Sequence, residues 1–139
     1  MTDLIQDLKN GSEWTVTSLN QLGINLDYSI DSLKLIENLL SEQFESGQPK
    51  KGGLFESEVG GKLFAIGAYL GEVIIRNSKN VHWKPDPKDL DNDFTVMIES
   101  LDGAIIWPQQ KLFKRINDGD GDNIYFYASA VIKSFNEEK

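Results

Sequence analysis

Residues 57–76, SEVGGKLFAIGAYLGEVIIR, form the least polar stretch of the chain, and their reading decides how the rest must fold. At about 100° per residue, Leu70, Ile74, Ile66 and Gly67 fall within about 60° of Leu63 on a helical wheel. Phe64 and Ile75 flank that stripe, and Ala65 and Ala68 reach towards the back. A helix apolar around most of its circumference is buried on several sides. The apolar run 63–75 contains Glu72 and falls short of the roughly 20 residues that a membrane span needs, so the stretch predicts a central core helix. Gly67 and Gly71 sit four apart beside the stripe, where missing side chains let another backbone approach closely and offset the loss of helix propensity.

The neighbouring segments supply what that helix needs. Leu4, Leu8, Gly11, Thr15, Leu19 and Leu22 keep helical spacing, with Thr2 or Asp3 as cap and Gly23 past the end. Two shorter helices meeting near Asn10 and Gly11 are the alternative. Ser29 predicts the start of a second helix, with Leu33, Ile36, Leu40 and Phe44 as its buried stripe, and residues 48–53 read as a polar loop. After Arg76 the period changes. Residues 81–84, 94–100 and 104–107 read as short strands, and Asp102–Gly103 is a hairpin signal between the last two. Pro108 suits the first turn of a helix carrying Leu112, Phe113 and Ile116. A final helix starts near Asp122 with Ile124, Tyr127, Ala128, Val131 and Phe135 in register. The expectation is one α+β domain over residues 1–139: N-terminal helices, a small antiparallel sheet of about three strands, then two C-terminal helices. The 57–76 helix should lie between the first two helices and the sheet.

Composition narrows the chemistry. The 139 residues include no cysteine, which removes disulfides, thiolate metal sites and cysteine nucleophiles. The opening MTDLIQDLKN carries acids where a signal peptide would be basic, and the expected location is the cytoplasm. A net charge of −8 disfavours binding to nucleic acid, whose phosphates need lysine and arginine. It favours a basic protein partner instead.

Several residues could carry chemistry. Glu72 is a carboxylate in an apolar run, a general acid or base if buried alone, yet Arg76 follows at the ion-pair spacing and Glu72 falls opposite Leu63. His82, the single histidine, points away from Trp83 on a strand and lacks the partners of a zinc or triad site. Asp118, Asp120 and Asp122 hint at a calcium loop, but Asn123 and Ser129 stand where an EF-hand needs glycine and glutamate. No phosphate-loop glycine frame is present, and no cofactor or metal site is expected. The acidic loop with Asp86, Asp89, Asp91 and Asp93, together with Trp83 and Trp107 near strand ends, is the candidate binding surface.

Taken together, Leu26 to Ser29 with Ser32 and Leu33, Gly67 to Ile74, Trp83, and Ile106 to Pro108 with Lys114 and Arg115 resemble a family of small bacterial domains of uncharacterised function. The likeness spans residues 24–116 and supplies no catalytic residue. Similar small acidic proteins neutralise bacterial toxins by binding them, so the resemblance implies a non-enzymatic immunity protein. The rival expectations are a small enzyme or ligand-binding domain using Glu72 with Tyr69 or His82 in a pocket, and a structural domain of an oligomer.

Overall fold

The computed structural model of the chain describes residues 3–90 and 92–137. It is an α+β fold in which the described residues form five helices and a two-stranded and a three-stranded antiparallel sheet, with helices at both ends. The first helix, α1 (Leu4–Asn20), runs unbroken through Gly11. Asp3 caps it by accepting the Gln6 N–H at 3.2 Å, and Thr2 lies outside the described residues. Gly11 is a crossing point and no break: a Cβ there would stand 3.3 Å from the Cα of Ala65. Leu22, expected on the buried face, lies past the helix end and is exposed.

The second helix, α2 (Ser32–Gln43), has Asp31 and not Ser29 at its N-cap position, and Ser29, in the turn before it, accepts the Ser32 N–H on its hydroxyl at 3.1 Å. Leu33, Ile36, Leu40 and Phe44 are buried as the spacing predicts. The segment after them is not all loop. β1 (Phe44–Glu45) and β2 (Gln48–Pro49) form a tight hairpin, turned by Ser46 and Gly47 at φ 51° and 81°.

The central helix, α3 (Val59–Arg76), packs against α1, the strand β3 (Val81–Lys84) and the helices α4 (Pro108–Asp118) and α5 (Ile124–Asn136). The strand β3 (Val81–Lys84) pairs with β4 (Met97–Ser100), which pairs with β5 (Ile105–Ile106), all antiparallel. The expected 94–100 strand is shorter than its alternation suggested, because residues 94–96 belong to the preceding loop. Gly103 turns the β4–β5 hairpin at φ 87°. Helix α4 (Pro108–Asp118) begins with proline at its first turn, a 3-10 turn covers Asp120–Asp122, and α5 (Ile124–Asn136) follows. Asn123 caps α5 by accepting the N–H groups of Tyr125 and Phe126. Among the described residues no helix is long and apolar enough to cross a membrane.

The expected packing of α3 between α1, α2 and the sheet needs one correction, since α2 lies chiefly against α5. A buried ion pair fixes that second layer. Glu37 of α2 accepts from Arg115 Nε of α4 at 2.7 Å, and its other oxygen takes the Ile124 N–H at the start of α5 at 2.7 Å. Arg115 also donates to the Ser41 hydroxyl at 2.8 Å, so the guanidinium and the carboxylate are both satisfied.

Gly67 and Gly71 act as expected in kind but not in detail. Side chains, and not a second backbone, fill their places: Gln109 of α4 lies on Gly67 and the Trp83 indole on Gly71. Around Gly61, at the exposed start of the same helix, the space is open. Alanine at Gly71 should therefore lower stability by about 1–3 kcal/mol through overpacking against a rigid ring. Alanine at Gly61 should raise it by about 0.5–1 kcal/mol through helix propensity. Urea unfolding of the two variants checks the opposite signs.

Candidate functional site

The carboxylate that stood out in α3 is buried and engaged on both oxygens. Trp83 Nε1 donates to Glu72 Oε2 at 2.7 Å, and Arg76 Nε donates to Oε1 at 3.3 Å. The Trp83 contact follows from strand alternation: β3 turns Val81 and Trp83 inwards and leaves His82 exposed. Trp83 is only 7% exposed, so it is a core residue and offers no surface for an incoming partner. Its expected place in a binding surface is corrected accordingly. His82 lies on the outer face of the sheet, where Nε2 stands 3.4 Å from Glu99 Oε1. Tyr69 is also committed. Its hydroxyl is hydrogen-bonded to Ser32 Oγ at 2.6 Å and accepts the Tyr28 N–H at 3.0 Å. Burial raises the Tyr69 pKa above its ordinary value, against the opposing pull of those hydrogen bonds, and keeps the phenol neutral. Glu72, Tyr69 and His82 therefore do not converge on a common reacting position.

Around Tyr28 the backbone is strained. Its φ of 63° lies in the left-handed region, which costs a bulky residue roughly 1–3 kcal/mol. Three polar contacts hold it there: the Tyr69 hydroxyl on its N–H, Asn77 Nδ2 on its carbonyl at 2.9 Å, and Ser12 Oγ donating to its hydroxyl at 2.9 Å. The ring carries the Arg76 guanidinium 3.5 Å from its centroid. The sequence marked Glu72 and Arg76 as a pair, but nothing in it joined them to Tyr28 or Trp83.

The other expected binding residues are brought partly together by sheet register. Lys84 pairs with Met97, so the loop 85–96 springs from one end of the sheet. Ile106 pairs with Ile98, which places Trp107 level with Met97 at that same end. Trp107 is 46% exposed and Leu90, in the loop, 63% exposed. Asp86 Oδ1 accepts the Lys88 N–H at 2.9 Å, and Asp89 Oδ2 accepts from Asn92 Nδ2 at 3.0 Å. Asp86 is half-buried and Asp89 exposed, while Asp91 lies outside the described residues. The loop is anchored by Gln110 Nε2, which donates to the Phe94 carbonyl at 2.8 Å, and by the Phe94–Phe113 ring contact at 5.0 Å. Burial, and then the neighbouring Asp7 of α1, raise the Asp93 pKa above the ordinary carboxylate value. The first turn of α1 thus extends the acidic surface. Sequence reasoning had no signal for that contribution.

Elsewhere, of Asp118, Asp120 and Asp122, the last is drawn into ion pairs. Asp122 Oδ1 lies 3.3 Å from Lys111 Nζ and 3.7 Å from Lys114 Nζ. Desolvation would raise its pKa, but the Lys111 hydrogen bond and the two lysine charges together hold it below the usual value. No group of three or more acidic or histidine side chains among the described residues could hold a metal ion. A groove of about 500 Å³ between α1 and the start of α3 is lined by Trp14, Lys62 and Phe64. Comparison with family models, curated proteins and solved structures finds no match to this chain.

Glu99 gives the outer face of the sheet a pH dependence. The Lys84 hydrogen bond at 2.9 Å is the largest cause of a pKa lowered from 4.5, with the Lys84 and His82 charges adding to it. A lowered carboxylate stabilises the fold above its unfolded pKa, and that contribution is lost as pH falls through the folded value. Glu99→Gln should melt below the parent protein at pH 6, and the gap in melting temperature should close as pH drops below about 4.5.

Proposed function

We propose that this chain is a non-enzymatic binding protein of the bacterial cytoplasm that holds a basic protein partner, in the manner of an immunity protein neutralising a toxin. The observation that carries this reading is the shared sheet end, where exposed Trp107 lies at the base of the loop that carries Asp86, Asp89 and exposed Leu90. Carboxylates around an apolar anchor steer a basic surface into register, and a tryptophan supplies contact area once it is desolvated. A net charge of −8 extends that attraction beyond the contact itself. The engagement of Glu72 with Trp83 and Arg76 supports binding over acid–base chemistry.

The partner to test is the product of the gene immediately upstream, co-expressed with this chain. The expected result is relief of that product's toxicity and a complex that weakens as salt rises. Trp107→Ala should reduce affinity by about tenfold or more, and Asp86→Lys with Asp89→Lys should slow association. A neighbour that is neither toxic nor bound, or a complex indifferent to these substitutions, overturns the proposal.

A further inference from the structure

The segments 26–29 and 67–74 take no part in the acidic face, yet they meet around Arg76. The guanidinium is fixed from two directions. Its Cζ lies 3.5 Å from the Tyr28 ring centroid, and its Nε edge donates to Glu72. Glu72 cannot swing away without breaking the Trp83 hydrogen bond at 2.7 Å. Tyr28 is held equally firmly in its left-handed conformation by Tyr69, Asn77 and Ser12. Among the described residues the two terminal nitrogens of Arg76 donate to nothing, and its side chain is 48% exposed. A long, mobile side chain has thus been ordered in advance, with the donor fork at its tip left available. Ordering that is already complete in the free protein does not have to be supplied on binding.

We propose that this fork is a binding site for a carboxylate brought by another molecule. Two parallel N–H donors in one plane match the two oxygens of a carboxylate. Charge favours this class over phosphate. Arg76 ends α3, so the negative end of the helix dipole lies beside it, and Glu72 adds a further negative charge. In that setting a singly charged carboxylate meets less repulsion than a phosphate dianion does. The site stands on Tyr28, Arg76 and Glu72 and does not depend on the acidic loop.

The test follows the Arg76 Nε–H and Trp83 Nε1–H signals by proton–nitrogen NMR at constant ionic strength. Acetate represents a small organic acid, and N-acetyl-triglycine represents a peptide C-terminus, with its amide as the uncharged control. The expected result is a saturating shift at Arg76 with one or both carboxylates and none with the amide; the tighter of the two identifies the source. Arg76→Lys, which keeps the charge and loses the fork, should abolish saturation, and Tyr28→Leu should weaken binding by about tenfold. Dispersed amide spectra establish that each variant is folded, and Arg76→Lys decides alone if Tyr28→Leu is not. Equal shifts with the amide, tighter binding of inorganic phosphate, or an unchanged response in Arg76→Lys would overturn the proposal.

Discussion

The indole of Trp83 lies on Gly71 and gives its N–H to Glu72, and the placement of the sheet against the central helix depends on that junction. Each part constrains the others. A side chain at Gly71 would occupy the ring's position. Without the Trp83 donor, Glu72 would keep only Arg76 as a partner while remaining buried, and a buried carboxylate short of hydrogen bonds is strongly unfavourable. The same carboxylate aligns Arg76 over Tyr28, so the junction reaches from β3 through α3 to the connector before α2.

A second carboxylate performs a parallel task on the other side of the core. Glu37 joins α2 to Arg115 of α4 and to the first N–H of α5, 78 and 87 residues further along the chain. Removing one partner from such a buried pair typically costs about 3–5 kcal/mol, because the other charge is left unpaired. Gln109 makes a third polar tie, donating to the Phe64 carbonyl from its place on Gly67. Apolar burial supplies the bulk of the core, and these polar ties specify which helix lies where.

The sequence made the local elements legible because local physics determines them. The period of residues 63–75, the Asp102–Gly103 turn, Pro108 at the start of α4 and the alternation of His82 with Trp83 all act within a few residues. What was not legible depends on contacts between distant residues. Glu37 occupies the Leu33–Leu40 stripe, and that misplaced acid was a signal for a buried partner, but nothing named Arg115. The Gly67 and Gly71 edge announced a close approach without saying that Gln109 and Trp83 would make it. In the same way Asp86, Asp89 and Trp107 were separate candidates, and antiparallel register is what sets them at one end of the sheet.

The central claim is that Glu72 is a structural acceptor holding Trp83 inside the core. Hydrogen exchange at the three tryptophan indoles tests it in one spectrum. Trp14 and Trp107 are each 46% exposed and should exchange rapidly, whereas Trp83, 7% exposed and hydrogen-bonded to Glu72, should exchange only as slowly as the amides of α3. An indole N–H of Trp83 that exchanges as fast as the other two would contradict the account.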